Sequence, residues 1–89
     1  MSKRAKLIEK ILDRNRANNV TYDELCECAK EIGWQMKART GTSHVVYWHA
    51  DCVDLLNLQP GPNGKAKPFQ IKQVRNSIIN LRDQGKLSL

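Results

Sequence analysis

At Gly33-Trp34 the hydrophobic period of this chain changes, and that change narrows the folds open to it. Upstream, apolar residues recur at helical spacing: Leu7, Ile8, Ile11 and Leu12, then Leu25, Cys28 or Ala29, and Ile32. From Trp34 the period is two. Trp34, Met36 and Ala38 alternate with Gln35, Lys37 and Arg39, and beyond a turn His44, Val46 and Trp48 alternate with Val45, Tyr47 and His49. A weaker alternation follows over 53–59, where Val53, Leu55, Asn57 and Gln59 oppose Asp54, Leu56 and Leu58. Helical spacing returns at Ile71, Val74, Ile78 and Leu81. The order helix, helix, three strands, helix predicts an α+β fold, a three-stranded antiparallel meander packed on helices with its other face partly open.

Local signals set the boundaries. The first helix is predicted over residues 3–16, a stretch free of Gly and Pro, and Ala17-Asn18-Asn19 ends it. The second opens on a capping box, with Thr21 as N-cap, Glu24 three residues on, and Val20 and Leu25 as the hydrophobic staple. Asp23 and Glu24 in its first turn suit the helix dipole, and Gly33 is placed to stop it. Gly41 supplies the backbone freedom of a hairpin tip, with Thr42 and Ser43 as small polar filling. Residues 60–68, rich in Pro and Gly, read as a loop carrying Lys65 and Lys67 and no acid. The last helix is predicted from Phe69 or Gln70 to Gln84, with Gly85 just beyond.

The 89 residues suit a single domain, 1–89, with a thin core. Net charge is +6, unevenly spread: residues 1–16 carry +4, residues 17–34 carry −3, and residues 61–89 carry +5. Two basic ends of this kind are an electrostatic footprint for nucleic acid. No apolar run approaches the roughly 20 residues a bilayer span needs, so no membrane role is expected. The basic start is followed by no apolar signal core, and a cytoplasmic protein is expected. Three cysteines, an odd number, argue against a disulfide scaffold. Cys26 and Cys28 on one helix stand about 200° apart, too far round to share a metal. No set of zinc-ligand spacings appears either, so neither a metal nor a cofactor is expected.

His44 lies where a strand leaves the turn, near Lys37 and Arg39, and an imidazole in a basic setting suggests chemistry on a phosphodiester. The helix ending in Gly33-Trp34, the basic strand with Lys37 and Arg39, the turn Gly41-Thr42-Ser43-His44, the aromatic pair Tyr47-Trp48 and the closing helix from Ile71 to Leu81 resemble the HicA (YcfA-like) toxin family. The element order is also similar to that of double-stranded-RNA-binding folds. The resemblance spans residues 21–85, which makes residues 1–20 an additional N-terminal helix. It implies a dsRBD-like fold and an endoribonuclease, or mRNA interferase, of a bacterial toxin–antitoxin module. Such an enzyme cuts messenger RNA without a metal and is neutralised by a HicB-type antitoxin. The family's catalytic histidine maps onto His44.

The residues suit that chemistry. RNA carries its own nucleophile, the 2′-OH, so cleavage needs proton transfer and charge stabilisation. His44 is the candidate general base or acid. Lys37 and Arg39 are candidates for holding the phosphate, with backbone N–H groups of Gly41, Thr42 and Ser43 adding hydrogen bonds. Lys65, Lys67 and Lys72 would position the RNA strand without reading its sequence. His49, on strict alternation, points away from His44 and does not form a pair with it, while Tyr47 and Trp48 suit sheet packing better than base stacking. Two other functions fit the same charge: an RNA-binding domain that does not cut, and a module docking an acidic protein partner.

Overall fold

The change of period at Trp34 is the boundary between a helical layer and a sheet in the computed structural model, which describes residues 3–40 and 44–87, without the side chains of residues 17, 18, 38–40 and 44. Helix α1 spans Lys3–Leu12, a 3₁₀ segment covers Arg14–Asn19, and α2 spans Tyr22–Glu31. Strands β1 (Gln35–Thr40), β2 (His44–Trp48) and β3 (Leu56–Leu58) follow, then a 3₁₀ turn at Pro62–Gly64 and helix α3 at Pro68–Asp83. The sheet order is β1-β2-β3, antiparallel throughout. The fold is α+β, three helices with a three-stranded meander.

One core joins the layers. Leu7, Ile8 and Ile11 of α1, Leu25, Cys28 and Ala29 of α2, and Ile71, Val74, Ile78 and Leu81 of α3 share it with Val45, Tyr47, Leu56 and Leu58 of the sheet. Helix α1 packs on both α2 and α3, so the N-terminal helix contributes Leu7, Ile8 and Ile11 to the core of the domain. Two arginines tie helix ends across elements: Arg75 Nε donates to the Ile11 carbonyl at 2.9 Å, and Arg4 Nε to the Glu31 carbonyl at 3.4 Å. Each satisfies a carbonyl that the end of a helix leaves without an intrahelical partner, and each puts positive charge where the helix dipole favours it.

Three boundaries differ from the sequence expectation, each for a local reason. Helix α1 stops at Leu12 instead of running to residue 16. The Asp13 carboxylate accepts from the Asn15 N–H at 2.9 Å, a local bond that draws the chain into the 3₁₀ segment. Strand β3 is shorter than the alternation over 53–59, because only Leu56–Leu58 find partners, at Tyr47, Val46 and Val45. Val53 stands 99% exposed outside the ladder. In β1 the pairing steps from Met36↔Tyr47 to Ala38↔Val46, so Lys37 is the extra residue of a bulge. The strict alternation expected across Trp34–Arg39 is broken at that extra residue, and Met36, expected to share the face of the buried Trp34, is 47% exposed.

Helix α2 is closed at both ends by its own sequence. Glu24 N–H donates to Thr21 Oγ1 at 3.1 Å and Thr21 N–H donates to Glu24 Oε1 at 3.0 Å, completing the capping box. The Glu24 carboxylate also receives Lys10 Nζ of α1 at 2.9 Å. Partial burial pulls the Glu24 carboxyl upward, but the Thr21 N–H and the Lys10 ammonium outweigh it and hold the group below its ordinary value. A lowered folded-state pKa gives stability that is complete above the ordinary glutamate range and lost as pH falls through the lowered value. Glu24→Gln keeps the cap acceptor and loses the charge, and solvent screening limits the cost to about 0.5–1 kcal/mol near neutrality. Urea unfolding at about pH 7 and about pH 2.5 is expected to show that gap closing in acid. A gap of equal size at both pH values would contradict it.

Candidate nucleic-acid interface

The corner between α2 and β1 fixes one of the chain's two histidines. Trp34 N–H bonds to the Ala29 carbonyl at 3.0 Å and Gly33 N–H to the Lys30 carbonyl at 3.1 Å, a Schellman closure with Gly33 at φ 105°. Trp34 Nε1 donates to Ser77 Oγ on α3 at 3.0 Å, and its ring meets the edge of His49 with centroids 5.2 Å apart. His49 itself is buried just past β2. The Asp51 N–H donates to His49 Nδ1 at 2.9 Å, which leaves Nε2 carrying the proton it gives to the Ile32 carbonyl at 2.8 Å. Both ring nitrogens are engaged with backbone, and the ring fills the space a side chain at Gly33 would need. His49 is a structural histidine.

His44 is the other. Its backbone pairs with Thr40 as the first rung of the β1–β2 hairpin, and along β2 its position alternates with Val45 and Tyr47. Gly41, Thr42 and Ser43, named as phosphate-holding candidates, lie outside the described residues. The bulge changes the neighbours expected for position 44. Position 39 pairs with Val45 and position 40 with His44, so register separates Arg39 from His44 by one pleat. Lys37 is exposed on the bulge itself. Tyr47 is a core side chain at 2% exposure, whereas Trp48 is 40% exposed and pairs with Gln35.

The cations divide into two groups. Lys3 pairs with Glu27, Lys10 with Glu24, Arg16 with Asp13, Arg82 with Asp83 and Lys86 with Asp51. Lys6, Arg14, Lys30, Lys37, Lys65, Lys67 and Lys72 form no ion pair among the described residues, and neither do Arg4 and Arg75, whose Nε groups donate to carbonyls. Lys65, Lys67 and Lys72 gather where the chain enters α3: the Lys65 backbone bridges to Thr21, Lys67 is the N-cap position, and Lys72 lies one turn inside. They belong to the helical layer, whereas Lys37 belongs to the edge strand β1. Beside them a groove is lined by Arg14, Pro68, Ile71, Lys72, Arg75 and Asn76. Arg14 and Arg75 were not singled out in sequence; the Lys72/Arg75 spacing on α3 was legible, but the return of the α1–α2 linker over α3 was not.

Thiol chemistry has no support at this surface. Burial, helped by the nearby Glu31 carboxylate, pushes the Cys28 thiol up to about 12. Burial also raises Cys52, against an opposing hydrogen bond with Ser77. All three cysteines are free. Among the described residues no three His, Cys, Asp or Glu side chains converge as a metal site, and no helix is long and apolar enough to cross a membrane. Comparison with protein-family models, curated proteins and solved structures finds no match to this chain.

Proposed function

We propose that this chain is a HicA-type endoribonuclease: a toxin that cleaves messenger RNA in the cytoplasm without metal or cofactor and is held inactive by a HicB-type antitoxin. The observation that carries this reading is the engagement of His49. With both of its ring nitrogens bonded to backbone, His44 is the one imidazole of the chain left for moving a proton. A single histidine can take the 2′-OH proton or supply one to the departing 5′-oxygen, while unpaired cations stabilise the charge that builds on the phosphorus. Lys37 is an exposed cation of the same hairpin. An acidic antitoxin surface covering the hairpin and its cations would block the reaction.

A second reading, an RNA-binding domain of dsRBD-like type that does not cut, is favoured by Lys65, Lys67 and Lys72, which stand around α3 and need no histidine for their role. Prolonged incubation of the purified protein with single-stranded RNA in EDTA separates the two. The nuclease gives fragments on a denaturing gel, at the same rate with and without chelator. Intact RNA that is nonetheless retarded on a native gel would select the binding domain, and RNA neither cut nor bound would remove both.

A further inference from the structure

We infer that the groove between the Arg14–Asn19 segment and the first two turns of α3 holds consecutive phosphates of an RNA strand, a backbone-binding site separate from the hairpin. This rests on RNA being the ligand and adds where its backbone lies. Three cations from two elements, Arg14, Lys72 and Arg75, line the groove, with the Asn76 amide beside them and no carboxylate. None of the three is among the Lys and Arg side chains that pair with Asp or Glu, so their charge is not offset within the described residues. Without a counter-charge, three cations around one depression repel each other, and a polyanion relieves that repulsion.

Arg75 is the fixed point. Its Nε is committed to the Ile11 carbonyl at 2.9 Å, which holds the guanidinium in place and leaves its Nη groups for a ligand. Arg14 and Lys72 are exposed and carry no ion pair, so they supply charge that counterions otherwise neutralise. Pro68 and Ile71 make the remaining wall apolar, which offers no hydrogen bonds to base edges. The three cations therefore bind phosphates, contacts that position the strand and carry no sequence information.

The test uses the full chain and a fluorescein-labelled 2′-O-methyl RNA, which offers the same phosphates but no 2′ nucleophile, so binding is read apart from cleavage. Anisotropy titrations between about 50 and about 200 mM KCl give the slope of log affinity against log salt. The Arg14→Ala/Lys72→Ala double variant, which leaves the Arg75–Ile11 bond untouched, is expected to lower that slope by about 1.4, for two lost contacts to a single strand. Lys30→Ala, outside the groove, is expected to leave slope and affinity unchanged. A double variant with the wild-type slope and affinity overturns the groove while leaving RNA as the ligand. Wild-type protein that does not bind the RNA at all overturns the groove and the RNA reading together. Equal displacement of RNA from wild type and double variant by poly-glutamate would place the anion site elsewhere and also overturn it.

Discussion

The Gly33→Ala variant is expected to lose about 2–4 kcal/mol of stability, with Tm lowered by roughly 10–25 °C. Two costs combine. The backbone at Gly33 has φ 105°, a conformation L side chains rarely adopt. The added Cβ would also lie 2.7 Å from His49 Nε2. That ring has little freedom to retreat, because Asp51 N–H and the Ile32 carbonyl hold its two nitrogens and Trp34 meets its edge. Moving it breaks buried hydrogen bonds whose partners have no water to turn to.

Gly85 provides the internal control. It closes α3 in the same way, with Gly85 N–H to the Arg82 carbonyl at 3.0 Å and Lys86 N–H to the Leu81 carbonyl at 2.8 Å, at φ 72°. Nothing lies within 4 Å of a Cβ built there. Gly85→Ala therefore carries only the backbone cost, about 1 kcal/mol. The excess at Gly33 should vanish in a His49→Ala background, a coupling that a double-mutant cycle by urea unfolding reads directly. Equal losses for Gly33→Ala and Gly85→Ala in the wild-type chain would show that His49 does not fill that corner.

The capping box at Thr21 and Glu24 and the stop at Gly33 were legible because both are built from residues close in sequence. The same holds for the buried stripe of α3, where Ile71, Val74, Ile78 and Leu81 repeat at helical spacing. What escaped the sequence depends on contacts across the fold. The bulge at Lys37 arises from pairing with β2 and has no Gly or Pro to announce it, yet it moves Arg39 off the pleat of His44. Arg75 reads as one more cation of an exposed helix face until α1 is seen to end against it. Alternation placed His49 apart from His44, but its bonds to Ile32 and Asp51 come from the turn after β2 folding back onto the end of α2.

Catalysis by His44 is the claim on which the nuclease reading stands, and substitution there is the second large effect expected. A positioned imidazole contributes about 10²–10⁴-fold to proton transfer, and no other histidine is free to replace it. The most direct test is the cleavage rate of labelled RNA by purified His44→Ala beside wild type, at matched unfolding midpoints, with and without added imidazole. The expected result is a loss of at least about 100-fold, RNA affinity within about twofold, and partial recovery of the rate in imidazole. His44→Ala cutting RNA at the wild-type rate would contradict the account.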